Sequence, residues 1–171
     1  MHRLEVTNPF DGSPVGEVKL SSASEVDTAL AIAEKTHKAN KKGLPKHERI
    51  AVLKKTAEIM KERADELALL IASEGGKPLI DAKVEVERAI DGVETCAAEI
   101  ANNTGMEIPM DLTSAGEGKI AFTTKEPIGI VVAVSAFNHP LNLIVHQVAP
   151  AVAAGNPVIV KPADDTPLSC E

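Results

Sequence analysis

Two stretches decide the fold: Ile128-Gly129-Ile130-Val131-Val132-Ala133-Val134 and, further on, Pro157-Val158-Ile159-Val160. The first is a nearly unbroken β-branched run, which suits a parallel strand buried on both faces better than a half-exposed one. Between the two, Asn138-His139-Pro140 offers a cap and a first-turn proline. Leu141, Ile144, Val145, Val148 and Val152 supply an apolar face, and Gly155 closes the helix. Strand, helix and strand form a βαβ unit, which joins parallel strands by a right-handed crossover. Thr166-Pro167 then reads as the opening of another helix.

Working back toward the N-terminus, Met106, Ile108, Met110 and Leu112 alternate with polar residues, and Ile120 to Lys125 reads as the return strand of a hairpin. Ahead of it, Leu79, Ala82, Val86, Ile90, Val93, Ala97 and Ile100 line one face of a helix that ends near Asn103-Thr104-Gly105. Ile50, Leu53, Ala57, Met60, Ala64, Leu67 and Ile71 step by threes and fours as one further helix, stopped by Glu74-Gly75-Gly76-Lys77-Pro78. Ser22-Ala23-Ser24-Glu25 is a capping box that opens a helix reaching Ala39, and the first 20 residues form a small hairpin around Asn8-Pro9-Phe10-Asp11-Gly12. The divisions expected are residues 1–20 (hairpin), 21–104 (helical part), 105–126 (hairpin arm) and 127–171 (βαβ unit).

Composition narrows the function. The chain has 171 residues, room for one ordinary domain, and 18 Lys and Arg against 25 Asp and Glu leave a net charge of −7. That balance argues against nucleic acid or an anionic membrane as a partner. With three Phe and no Trp or Tyr, few stacking platforms exist for bases or sugars. No apolar leader opens the sequence, and the most apolar stretch, Ile128 to Phe137, is about half of what a membrane-spanning helix needs. Two cysteines, Cys96 and Cys170, are too few for a disulfide framework, so a reducing, cytoplasmic setting is expected. No Cys/His cluster has metal-ligand spacing, and no metal is expected.

In an open parallel sheet, ligands bind outside the carboxyl ends of the strands. Two loops qualify: Ser135-Ala136-Phe137-Asn138 after the first strand and Lys161-Pro162-Ala163-Asp164-Asp165 after the second. A lysine and an acid at a strand end can both bind an adenosine ribose diol. Neither a G-x-G-x-x-G fingerprint nor a P-loop occurs in this unit, so periodicity and spacing leave two readings open, a nucleotide rim and a purely structural βαβ unit.

The stretch from Glu126 to Pro140, together with Ala149 to Pro167, resembles the NAD(P)-dependent aldehyde dehydrogenase superfamily, and the likeness extends to the Asn8–Gly12 hairpin and the Glu74–Pro78 turn. It implies a partial Rossmann-like α/β sheet with N-terminal helices and a protruding β-hairpin arm used in oligomerisation, giving a homodimer or homotetramer. In that family Asn138 matches the asparagine whose amide donates to the oxyanion formed when a cysteine thiolate attacks an aldehyde. Ser135, Ala136 and Phe137 match the loop lining the cofactor site. Lys161, Pro162, Ala163 and Asp164 match the ribose-binding stretch, with Asp164 beside the 2′-hydroxyl. A carboxylate there accepts from a hydroxyl and repels a phosphate, so NAD is expected over NADP.

The reaction implied is oxidation of a small-molecule aldehyde to a carboxylic acid through a thiohemiacetal, hydride transfer to NAD and thioester hydrolysis. The family's nucleophilic cysteine and general-base glutamate fall beyond Glu171, and a chain ending in the first turn of a helix is a poor natural terminus. The expectation is an N-terminal fragment of an enzyme, inactive by itself. The alternatives are a non-catalytic nucleotide-binding or interaction module and an inactive truncated remnant. Gln147 stands where many relatives have lysine. Cys170 lies on the wrong element to be the nucleophile, and Cys96 is likewise not expected to be catalytic. Read without the family, Asn138 is an ordinary N-cap and Asp164 or Asp165 a cap for the next helix.

Overall fold

A computed structural model describes residues 3–171. β1 (Arg3–Thr7) and β2 (Pro14–Lys19) pair antiparallel, with Val6 and Val18 buried beneath the hairpin. Four helices follow: α1 (Ala23–Ala39), α2 (Lys46–Glu62), α3 (Ala64–Gly75) and α4 (Leu79–Asn102). A short pair, β3 (Glu107–Ile108) and β4 (Ala121–Phe122), precedes β5 (Val131–Val134), α5 (Pro140–Ala154) and β6 (Val158–Lys161). β5 and β6 run parallel, so the chain is α/β with a small parallel sheet, as the two apolar runs imply.

α4 is the centre of the molecule. Its buried stripe, Ala82, Val86, Ala89, Ile90, Val93, Ala97 and Ile100, packs with Leu53, Ala57 and Met60 of α2, Ala68 and Ile71 of α3, and Leu141, Val145 and Ala149 of α5. The single long helix expected over Ile50–Ile71 is two. The backbone opens at Arg63 (φ −104°, ψ 14°), leaving α2 and α3 with separate axes on the same core. Because the three-four spacing runs on across Arg63, the stripe alone does not mark the break.

Two further departures concern the strands. β5 is not covered on both faces. Ala133 is buried, but Val132 and Val134, which alternate to the opposite face, are 54% and 57% exposed. α1 and α5 both lie on the side that carries Val158 and Val160, leaving the other side open. The hairpin arm is also less regular than its alternation suggests: only two residues pair on each side, and Met106, Leu112, Ile120 and Phe122 are exposed.

The capping box forms as expected. Ser22 Oγ accepts from the Glu25 N–H, and the Glu25 carboxylate accepts from the Ser22 N–H. Its hydrogen bond with Lys19, joined by those to Ser22, holds the Glu25 carboxyl at about 2, against an ordinary value of 4.5. A depressed folded-state value means this contribution is complete above about pH 4.5 and is lost as pH falls toward 2. Glu25→Gln is expected to reduce the fall in Tm across that window, measured by thermal unfolding at a series of acid pH values.

α5 has no capping side chain of its own, since His139 occupies the N-cap position without a side-chain bond. Both ends are instead held by charged residues of the helical layer. Glu85 of α4 accepts from the N–H groups of Leu141 (3.0 Å) and Asn142 (3.1 Å), while Arg49 of α2 donates to the carbonyl of Ala153. An anion at the helix N-terminus and a cation at its C-terminus both complement the macrodipole.

Candidate functional site

The register Val131↔Val158 to Val134↔Lys161 brings the carboxyl ends of β5 and β6 level. The Ser135 N–H extends the ladder by one bond to the Lys161 carbonyl (2.9 Å), so the two rim loops start side by side. Across them, Thr166 Oγ1 donates to the Phe137 carbonyl (3.0 Å). The neighbouring Asn138 carbonyl is held as well, by Lys77 Nζ (2.6 Å). The Asn138 carboxamide itself is exposed and hydrogen-bonds to none of the described residues. The backbone at Asn138 is thus held, while its carboxamide has donor capacity left over for a ligand.

Two buried carboxylates support this rim. Glu85, 2% exposed, receives Lys77, lies 3.2 Å from His139 Nδ1 and accepts from the first-turn amides of α5. Glu74 accepts from the N–H groups of Leu168 (2.8 Å) and Ser169 (2.9 Å) and from the Ser169 hydroxyl. The segment at Thr166-Pro167 is a succession of turns rather than a helix, and its amides go to Glu74. Neither carboxylate has a sequence signature as a cap, because each meets its partners 56 to 95 residues away.

The site residues expected from sequence separate into two groups. Ala136, Phe137, Asn138, Lys161 and Asp164 are exposed on the rim. Ser135 and Ala163 are buried, Pro162 is half-buried, and the single hydrogen of the Ser135 hydroxyl is used within the loop, between the carbonyls of Pro140 (3.2 Å) and Ala136 (3.3 Å). Lys161 and Asp164 form an ion pair with each other at the end of β6. Asn138 is not the helix cap, because the first-turn amides of α5 are taken by Glu85. Gln147 pairs both of its amide atoms with the backbone of Val134, at 2.9 Å each, in place of a neighbouring strand.

Beside the rim lies an open cleft of about 370 Å³ bounded by Lys77, Asp81, Arg88, Asn138, His139 and Asn142. Arg88 forms no ion pair among the described residues, and Asn142 Oδ1 is buried without a partner there. Cys170 sits behind the rim, with its thiol pushed up to about 11 by burial and by the charges of Glu74 and Glu171. A group whose ordinary value is 9.0 and which rises to about 11 has about a hundredfold less thiolate near neutral pH. Alkylation of Cys170 is therefore expected to run about a hundredfold slower than that of an unstructured cysteine peptide, read by peptide mass spectrometry. Among the described residues no helix is long and apolar enough to cross a membrane, and no group of three metal-ligating side chains converges.

A parallel βαβ unit with an uncommitted amide on one rim loop and a lysine–carboxylate pair on the other is an α/β protein of the kind that takes ligands at its strand ends. The chain belongs to the aldehyde dehydrogenase family, whose profile it matches over residues 1–171. It is similar to aspartate-semialdehyde dehydrogenase 1 of Pseudomonas canavaninivorans, 40% identical over 97% of this chain and 35% of that protein. Aldehyde dehydrogenase 21 of Physcomitrella patens, solved with its reaction product succinate, matches with a TM-score of 0.92 at 37% identity, over 98% of this chain and 35% of that one. The NADP-dependent glyceraldehyde-3-phosphate dehydrogenase of Bacillus halodurans, solved with NADP, also gives 0.92, at 35% identity over 99% and 36%. The chain thus spans about a third of the length of the relatives it matches.

Proposed function

We propose that these residues are the N-terminal part of an NAD-dependent aldehyde dehydrogenase that oxidises a small aldehyde to a carboxylic acid through a cysteine thiohemiacetal. The nucleophile and general base then belong to sequence outside this chain. The observation that carries the reading is the Asn138 carboxamide, unbonded among the described residues, on a loop where the consecutive carbonyls of Phe137 and Asn138 are held by side chains. As the aldehyde carbon becomes tetrahedral, its oxygen gains negative charge, and a donor already in place stabilises that charge without reorganising.

Lys161 and Asp164 fit a ribose diol by chemistry, one donating and the other accepting, and the exposed Ala136 and Phe137 continue that surface. NAD, when bound, supplies the hydride acceptor. The Asp164 carboxylate favours a free 2′-hydroxyl over a phosphate, so NAD is the cofactor of this reading, in contrast to the NADP of the Bacillus halodurans neighbour. Arg88, without an ion pair among the described residues, lies in the cleft beside Asn138 and suits an aldehyde with an anionic substituent, in keeping with the semialdehyde, succinate and phosphate named for the relatives above. Residues 21–104 and 127–171 serve the cofactor region. The exposed apolar side chains of the 105–126 arm suit a second copy of the protein, giving a dimer or tetramer, and two free cysteines suit the cytoplasm.

The test is aldehyde-dependent NADH formation by the complete product of the reading frame, assayed with semialdehydes and neutral aldehydes of equal length. Turnover with NAD, and preference for the anionic substrates, are expected. The 171-residue chain by itself should give none, and NADH formation by it would refute this reading.

A further inference from the structure

Lys77 and Glu74 belong to one turn but reach different loops. α3 ends at Gly76, which is left-handed (φ 63°), and a Cβ there would collide with the ring of Pro9. This tight turn sends Glu74 and Lys77, three residues apart, to the two sides of the rim. The Lys77 ammonium has two acceptors around it, the Glu85 carboxylate and the Asn138 carbonyl, and lies 3.2 Å from His139 Nδ1. Two of the three ammonium hydrogens are thus committed, one to an anion and one to the rim backbone. The Glu74 carboxylate, 3% exposed, is committed to Leu168 and Ser169 beyond β6.

We propose that the turn Glu74–Lys77 is a positioning bracket for both rim loops: Lys77, held by Glu85, sets the backbone of Asn138, and Glu74 sets the segment after β6. Opposite charges take opposite backbone partners, the ammonium a carbonyl and the carboxylate two amides. The separation between the amide-bearing loop and the ribose-side loop is then fixed from the helical layer, in addition to the β5–β6 ladder. Lys77 acts through Asn138 and touches no reacting atom, so it is a positioning residue. The kinetic part of its test rests on the function proposed above, while the exchange part does not.

The variants are Lys77→Gln, Lys77→Arg and Glu74→Gln, made in the complete product of the reading frame. In residue-resolved amide hydrogen exchange, Lys77→Gln should speed exchange at Leu141–Leu143 about tenfold and leave Leu168 and Ser169 unchanged, and Glu74→Gln should do the reverse. In steady state, Lys77→Gln should lower kcat about a hundredfold with an unchanged KM for NAD, and Lys77→Arg should recover most of that loss. A general loss of fold would instead accelerate exchange at both loops in both variants and raise KM along with the fall in kcat. That pattern, or no change in either loop, overturns the bracket. A wild-type protein without aldehyde-dependent NADH formation defeats the functional reading alone, and the exchange result still decides the bracket.

Discussion

Replacing Asn138 with alanine should lower kcat about 10²–10³-fold in the complete enzyme, the usual loss for one oxyanion donor. The reasoning is geometric: the Asn138 carbonyl is tied to Lys77 and that of Phe137 to Thr166, while the Asn138 carboxamide is uncommitted among the described residues. Truncating that amide leaves these backbone bonds in place, so stability and KM for NAD should change little. Asn138→Asp should lose more than the alanine variant, because it sets an anion against the developing oxyanion. Steady-state kinetics with thermal unfolding of each variant separates the effects. A kcat within a few-fold of wild type would remove Asn138 from the chemistry.

The largest effect on stability is expected at Glu85. Its side chain is fully buried, and Lys77 beside it is only 15% exposed. Glu85→Ala strands the ammonium and uncaps two amides of α5 together, a loss of about 3–5 kcal/mol. For a chain of this size that corresponds to a fall in Tm of about 6–20 °C. Glu85→Gln keeps the shape and one acceptor and should cost less. Adding Lys77→Met to Glu85→Ala removes the stranded charge and should recover part of the loss, the non-additivity expected of residues in contact. Thermal or urea unfolding of wild type, Glu85→Ala, Lys77→Met and the double variant measures the cycle. An unchanged Tm in Glu85→Ala would mean that the buried cluster contributes nothing to the fold.

Local patterns carried most of the architecture. Ser22–Glu25 marked a helix start because a capping box closes within one turn, and the β-branched runs around an apolar helix marked the parallel unit. The exposed rim residues Asn138, Lys161 and Asp164 were legible through order and spacing along the chain. What could not be read were contacts between elements far apart in sequence. Glu74 and Glu85 look like ordinary helical acids until folding brings them to amides 56 to 95 residues away. Ser135 shows the same limit from the other side. It sits on the expected loop, yet its hydroxyl turns inward to the Pro140 carbonyl. The break at Arg63 was hidden because both helices feed one stripe of the same core.

The bonds from Glu85 and Arg49 to the two ends of α5 also bear on modularity. The sequence invites a cut between residues 104 and 127, with helices on one side and the crossover unit on the other. Gly155 and Asn156 cap the C-terminal end of α5 locally, yet the charges at both its ends come from the helical layer, and the bond from Arg49 spans 104 positions of chain. Exchanging one half for that of a distant relative would separate each helix end from the charge that answers it. The two halves are therefore bound to change together, and recombination at the exposed hairpin arm, which looks like a seam, would break both of these bonds.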